Sequence, residues 1–170
     1  MKTGNSAKIR KQWLMSNLQT FLLPEFTRLG FSILSLDDED ARSKDIRTAF
    51  PFGRLHRLAP NGLEMIEIQL DKHGNAAFRL NIGVSPFGGV ECNGSHVAQK
   101  DMWVHYLGRY FELYRYPQWR RWFSVMSLPW APATEDDYRV LVQNTVTVIP
   151  EIEKALKEGV PGRHMRLVLG

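Results

Sequence analysis

The chain has 170 residues, of which 44% are hydrophobic and 24% charged, with a formal net charge of +4, as expected of one globular domain with a buried core. A single cysteine excludes an internal disulfide framework and a zinc site built on paired thiolates, and it indicates a reducing, cytoplasmic setting. No apolar run approaches the roughly 20 residues that span a bilayer, and none follows the basic N-terminus, so we expect neither membrane insertion nor a signal peptide.

The N-terminal part of the chain predicts a helix followed by a strand. After a loose tail over residues 1–5, apolar residues recur at steps of three and four over residues 6–29, as in an amphipathic helix. Pro24 should bend this helix or start a second helical segment, and Gly30 should end the helix. Residues 31–36 follow as a strand. The acidic stretch from Asp37 to about Thr48 lacks the spacing of a calcium loop, so we interpret it as a solvated loop.

Three consecutive strands form the centre of the predicted fold. Apolar and polar residues alternate, as in half-buried strands, over residues 54–59, 63–70 and 76–84. Two short polar turns join these strands, so the sheet is antiparallel, with one apolar and one polar face. A register with Ile68 opposite Phe78 would place Glu67 opposite Arg79 as an ion pair on the polar face.

The region after the central strands predicts a loop and aromatic helices. Glycines over residues 85–95 indicate a loop. Aromatic and apolar residues then recur at helical spacing from about Lys100 to Pro117, and again over residues 118–126. We therefore expect an amphipathic helix followed by one or two further helical turns.

The C-terminal part of the chain predicts a second long helix. Prolines around position 130 indicate a linker, and Thr134 with the acids that follow it is typical of a helix start. Pro150 should bend this helix, and Gly159 should end it. Residues 163–169 are either a short edge strand or a docked tail, and the pattern does not choose between them.

Together these elements predict a single α+β domain over residues 1–170. We expect an antiparallel sheet of four to five strands, with the N-terminal and C-terminal helices packed together on its apolar face. The aromatic helices should cover one end of the sheet or part of its polar face.

Three short motifs give the chain a family resemblance. It carries a Gly-Phe pair after its first helix, a strand that ends in Gln and a strand of the type Phe-x-Leu-Asn-Ile-Gly-Val. These are residues 29–31, 66–69 and 78–84. In this order they resemble a bacterial family catalogued only as a domain of unknown function, over about residues 18–84. The resemblance implies that family's fold and a bacterial cytoplasmic protein, and it assigns no catalytic residue.

The polar face of the predicted sheet is the first candidate site. Its side chains should be Arg57, Glu67, Gln69, Arg79 and Asn81. They could line a cleft for a ligand or a partner, because a pocket with a few convergent polar groups is the usual form of a binding site. The alternative, which we favour, is a hydrogen-bonded and ion-paired surface beneath a second layer, because buried polar groups are normally paired.

The second candidate site is a segment in which arginines alternate with aromatic residues. Its most prominent members are Arg115, Tyr116, Trp119, Arg120 and Arg121. Such residues bind single-stranded nucleic acid, and they also dominate the hot spots of protein interfaces. No known nucleic-acid motif accompanies them. Their spacing is also that of an ordinary core-facing stripe, which is the interpretation that we favour.

Other combinations of reactive residues give weaker evidence of a functional site. Cys92 and His96 lie four residues apart, but a nucleophile and its base need a third group to orient the base, and the sequence supplies none. The remaining histidines lack the spacing of a metal site, and no motif for a cofactor is present. The sequence therefore favours a non-enzymatic module that binds another protein. The alternatives are a small-molecule binder or enzyme that uses the polar sheet face, and a nucleic-acid-binding protein. The oligomeric state stays open.

Overall fold

An antiparallel sheet with helices on one face forms the fold in the computed structural model, which describes residues 3–114 and 122–169. The helices are α1 (Thr3–Asn17), α2 (Leu23–Arg28), α3 (Asp38–Arg42), α4 (Lys44–Ala49), α5 (Glu135–Val146) and α6 (Ile149–Glu158). The strands are β1 (Ser32–Leu34), β2 (Arg54–Ala59), β3 (Gly62–Leu70), β4 (Ala77–Ser85), β5 (Val90–Cys92), β6 (Ser95–Val97), β7 (Arg109–Leu113), β8 (Phe123–Ser124) and β9 (Met165–Leu169). The predicted α+β class is confirmed.

Within the described residues, seven strands form the main sheet in the order β1-β2-β3-β4-β7-β9, and β8 pairs with β4 next to β7. All of these pairings are antiparallel. The prediction of four to five strands is therefore too low. Of the strands in this sheet, β7 and β8 lie in regions that we predicted as helical. Of the two alternatives predicted for residues 163–169, the structure shows the edge strand, β9.

The terminal helices cover the apolar face, as predicted. Leu14 of α1 and Ile152 of α6 lie in one buried cluster with Ile66, Ile68 and other side chains of the central strands. Removing such a residue from water stabilises the fold by roughly 1.5–3 kcal/mol. The alternation that we read from the central strands thus places their apolar side chains in the core.

The first helix stays helical through its proline. A π-helical turn at Leu18–Leu22 joins α1 to α2, and the backbone N–H of Leu23 donates to the carbonyl of Leu18, five residues earlier. Pro24 falls in the first turn of α2, where its missing N–H costs little. The wider turn therefore carries the chain across the proline without ending the helix.

The C-terminal helix is interrupted near its proline, as predicted. Thr134 and Asp137 form a reciprocal capping box at the start of α5. The helix then breaks between Val146 and Ile149, and Pro150 lies in the first turn of α6. Gly159 adopts a left-handed conformation with φ 68° and ends α6.

Several local predictions were wrong. Up to residue 114, where the first described range ends, the predicted helix from Lys100 to Pro117 is replaced by two 3-10 turns, Gln99–Asp101 and Val104–Tyr106, followed by β7. The predicted helical turns over residues 118–126 fall partly outside the described residues, and Phe123–Ser124 is a strand. The loop over residues 85–95 contains most of a hairpin, β5–β6. The acidic loop holds α3 and α4.

Candidate functional site

Arg57 lies on the helix-covered face of the sheet, so our prediction that it shares the polar face was wrong. It stands opposite Glu64 in the register, and Glu64 is three residues from Glu67 in β3, which puts the two on opposite faces. Its guanidinium donates to Glu64 at 2.6 Å, to the carbonyl of Leu29 at 2.7 Å and to Glu153 at 3.0 Å. These bonds fasten the end of α2 and helix α6 to the sheet.

The other four predicted residues of the sheet meet on the polar face. They are Glu67, Gln69, Arg79 and Asn81. The side-chain amide of Asn81 donates to Glu67 at 3.3 Å and to Gln69 at 3.0 Å. The same oxygen of Gln69 accepts from Nε of Arg79 at 2.9 Å. The four side chains therefore hydrogen-bond to one another across β3 and β4.

The register between β3 and β4 differs by two residues from the predicted one. Leu80, rather than Phe78, lies opposite Ile68. The carboxylate of Asp71 accepts the backbone N–H of His73 at 2.6 Å, which is an Asx-type turn. Leu70 pairs with Phe78, so seven residues, 71–77, lie between the paired positions, two more than expected, and the strands pair farther along β4.

Glu112 of β7 completes the network and was missed in the sequence. Its carboxylate lies 2.9 Å from Arg79 and 2.6 Å from Arg166 of β9, and Glu112 is only 2% exposed. The predicted ion pair between Glu67 and Arg79 is therefore wrong, because Arg79 pairs with Glu112. The alternation of Phe111 and Leu113 around Glu112 was the available signal, and the helical spacing of the aromatic residues obscured it.

A covering segment, residues 99–107, closes the polar face over β2 and β3. The backbone N–H of Val104 donates to Glu67 at 2.6 Å, and Arg54 donates to the carbonyl of Met102 at 3.1 Å. Met102 and Val104 are fully buried, as is Met65 beneath them. The face is thus filled here by side chains, which is the arrangement that we favoured over an open cleft.

Burial shifts the pKa values of two side chains on this face of the sheet away from their usual values. Burial raises the pKa of Glu67 to about 7, against the opposing effects of its hydrogen bonds and of Arg54. Burial, with a contribution from the charge of Arg54, lowers the pKa of His56 to about 4. Shifts of this kind are frequent at catalytic sites, but buried structural networks produce them too. Glu67 is inaccessible to solvent, so a substrate has no open route to it.

The second candidate segment falls in the gap of the described structure. Arg115, Tyr116, Trp119, Arg120 and Arg121 lie outside the described residues. Its described neighbours pack against the sheet. The guanidinium of Arg79 lies 4.8 Å from the ring centre of Trp122, and Phe123 stacks on Phe78 with ring centres 5.0 Å apart. The aromatic residues that follow the gap thus pack on β4.

A groove of about 600 Å³, lined by both apolar and polar side chains, lies between helix α5 and the chain that follows the aromatic segment. Residues 123–126 line one side, and Val140, Leu141 and Val148 contribute apolar surface on the other. Met126 is 58% exposed and Val140 is 46% exposed. Apolar side chains therefore remain open to solvent on both sides of the groove.

Trp130 lies on a tight turn, four residues after Met126, which lines the groove. Leu128 and Ala131 exchange backbone hydrogen bonds of 3.1 Å, which leaves Trp130 at the tip with 80% of its surface exposed. The turn begins two residues after Met126, at the groove, and leads into Thr134, the cap of α5. We had predicted only a proline-rich linker here, and a tryptophan between two prolines was the signal that we did not use.

The Gly-rich region does not place Cys92 and His96 together as a catalytic pair. The two residues lie in the β5–β6 hairpin, where Cys92 is opposite Ser95 and His96 is opposite Glu91. His96 Nδ1 lies 3.1 Å from the carboxylate of Glu91. The histidine is thus held by an exposed acid on the neighbouring strand.

Searches for a metal site, for a membrane-spanning helix and for related proteins give no further indication of function. Within residues 3–114 and 122–169, no three His, Cys, Asp or Glu side chains converge in a way that could hold a metal ion. Among the helices of the described chain, none combines the length and apolar character that crossing a bilayer requires. Comparison of the chain with protein-family models, curated proteins and solved structures finds no match. The resemblance to a domain of unknown function therefore stays a prediction.

Proposed function

We propose that this chain is a binding module for another protein in the bacterial cytoplasm, and that the groove beside α5 receives an apolar segment of that partner. The observation that carries the proposal is the exposure of Met126, at 58%, in the groove and of Trp130, at 80%, four residues farther along the chain. A Trp side chain can bury roughly 150–250 Å² against a partner. Trp is also enriched among the residues that dominate binding energy.

The charge around the groove indicates the chemistry of the partner. The first turn of α5 presents Glu135, Asp136 and Asp137, all exposed. Arg139 pairs with Asp136, whereas Asp137, whose carboxylate also accepts from Thr134, lines the groove and gives it a negative charge. A partner segment with large apolar side chains and a neighbouring Lys or Arg would match this surface, since complementary charges fix register and speed encounter.

The polar sheet face supports the alternative of a small-molecule binder or enzyme less well. Glu67, Asn81 and Glu112 are each at most 5% exposed, and their side chains bond to one another or to neighbouring strands. A ligand would have to displace the covering segment to reach them. The groove beside α5 is already open, and it requires no such change.

A display experiment with short random peptides tests the proposal. Peptides are selected on the immobilised chain and counter-selected on a Met126→Ala/Trp130→Ala variant. We expect enriched peptides to carry large apolar residues with an adjacent Lys or Arg. They should bind the variant at least about 30-fold more weakly, which corresponds to about 2 kcal/mol.

The matched control is Leu58→Ala, which removes another exposed apolar side chain, 71% accessible, on strand β2. This variant should bind the selected peptides as the unaltered chain does. Binding should also shift the NMR signals of Val140 and Val148 in the groove. If the double variant binds every selected peptide with unchanged affinity, the groove is not the binding surface and the proposal fails.

A further inference from the structure

The outer edge of β9 carries unused backbone hydrogen-bonding groups. Tyr114 donates its backbone N–H to the carbonyl of His164 at 3.0 Å, so these two residues form a hydrogen-bonded pair of the β7–β9 ladder. Such pairs alternate along an antiparallel ladder, so residues 166 and 168 bond to β7. The N–H and C=O groups of Leu167 and Leu169 therefore point away from the sheet.

Met165 faces the same edge but uses its N–H within its own chain. That group donates to the carbonyl of Gly162 at 3.1 Å, which leaves the carbonyl of Met165 as the acceptor on the edge. Over the described residues, β9 pairs on one side only, with β7. The edge thus offers, in order, an acceptor at Met165 and a donor and an acceptor at both Leu167 and Leu169.

This edge also lacks the devices that usually prevent strand pairing. Edge strands are commonly protected by proline, by free lysine charges or by a bulge. β9 reads Met-Arg-Leu-Val-Leu, with Leu167 38% exposed and Leu169 71% exposed. Its single charge, on Arg166, is held 2.6 Å from Glu112 on the polar face. An apolar edge with open backbone groups and a neutralised charge favours pairing with another strand.

We propose that two copies of this chain associate by antiparallel pairing of their β9 strands about a two-fold axis at Leu167. In this register Leu167 faces its own symmetry mate as a hydrogen-bonded pair, and Leu169 faces Met165 of the other copy. The pairing forms two hydrogen bonds at the axis and one at each end, from the N–H of Leu169 to the carbonyl of Met165. The pattern of open groups on β9 is therefore complementary to itself.

The same register avoids unfavourable contacts between charges. Arg166 of one copy lies across from Val168 of the other, so no like charges oppose each other, and each Arg166 keeps its partner Glu112. A two-fold pairing also closes on itself, whereas pairing of β9 with the other sheet edge, β1, would continue into a filament. The occupant that best fits this edge is thus a second copy of β9.

Cross-linking through a new cysteine tests the register directly. In a Cys92→Ser background, which removes the only natural cysteine, Leu167→Cys places two thiols across the axis. Their Cα atoms would lie about 5.5 Å apart, within the range that a disulfide bridges. We expect a covalent dimer on mild oxidation. The matched variant Leu169→Cys should not cross-link, because its two copies would lie more than about 13 Å apart along the strands.

The mass in solution tests the association itself. Light scattering of the unaltered chain from micromolar to millimolar concentration should show a rise to twice the monomer mass. Leu167→Lys, which places two ammonium groups at the axis, should remain a monomer, whereas Leu58→Lys on β2 should behave as the unaltered chain does. The inference is overturned by a monomer at every concentration. It is equally overturned by a dimer that Leu167→Lys leaves intact and that Leu167→Cys does not cross-link.

Discussion

Two groups on the polar face, the fully buried Glu67 and the partly buried His56, should make opposite contributions to the pH dependence of stability. Burial raises the pKa of Glu67 from 4.5 to about 7. Burial and the charge of Arg54 lower the pKa of His56 from 6.5 to about 4. Between about pH 4.5 and pH 6.5, the protonation of each group differs between the folded and the unfolded chain, so both groups affect stability in this interval.

The signs follow from the protons that each state binds. In this interval the folded chain keeps a proton on Glu67 that the unfolded chain releases, so this group lowers stability as the pH rises. His56 is neutral in the folded chain but protonated in the unfolded chain, so it raises stability as the pH rises. Each slope is at most about 1.4 kcal/mol per pH unit. In the unaltered chain the two slopes offset each other.

Removing one group at a time should expose the slope of the other. Relative to the unaltered chain, Glu67→Gln should gain stability by up to about 2.7 kcal/mol from pH 4.5 to pH 6.5. His56→Gln should lose stability over the same interval, but by a smaller amount, because His56 is only partly buried and solvent screens its charge. Urea unfolding at several pH values measures both differences. Glu158→Gln, which removes an exposed carboxylate, controls for the loss of one negative charge. If the profiles of the two variants run parallel to that of the unaltered chain, the assignment of opposing buried groups is refuted.

Three further substitutions test particular contacts of the fold by chemical unfolding. Arg57→Ala should cost about 3–5 kcal/mol, because it leaves a buried carboxylate unpaired, whereas Arg28→Ala at an exposed pair should cost under about 1 kcal/mol; equal costs would contradict the role of Arg57 in fastening α2 and α6 to the sheet. Thr134→Ala removes the capping box of α5 and should cost about 1 kcal/mol, and no measurable loss would show that the cap is dispensable. Gly53→Ala should cost at least about 2 kcal/mol more than Gly74→Ala, because both have positive φ but only at Gly53 would the new methyl meet the backbone of β1; equal costs would contradict that contact.

The sequence predicts the central sheet well because its alternation is local and strong. The apolar side chains of β3 and β4 fall where the period of two places them, as in Ile66 and Ile82, which are both fully buried. The register was less accessible, because it depends on the turn that Asp71 closes through its own side chain. The face of Arg57 was misjudged for a related reason. β2 has leucines three residues apart, at Leu55 and Leu58, so its own pattern does not define one apolar face.

The region from Lys100 to Pro117 shows where local pattern is insufficient. Its aromatic residues satisfy helical spacing, but residues 110–114 also alternate as a strand does, with buried Phe111 and Leu113 on the core side. The strand prevails because β4 and β9 provide partners on both sides. Strand preference depends strongly on such neighbours. Because β9 lies more than 50 residues farther along the chain, no window of local sequence contains this information.

The buried polar network accounts for both the single register of the sheet and the location of its open surfaces. A slip of one residue would turn Glu67 or Glu112 toward the apolar helices, and an unpaired buried charge costs several kcal/mol. The network thus fixes β3, β4, β7 and β9 relative to one another, and its residue beneath the covering segment, Glu67, is inaccessible to solvent. The two surfaces that we propose for binding, the groove beside α5 and the outer edge of β9, lie away from this network. There, apolar side chains are exposed, and a partner can be added without breaking a buried ion pair.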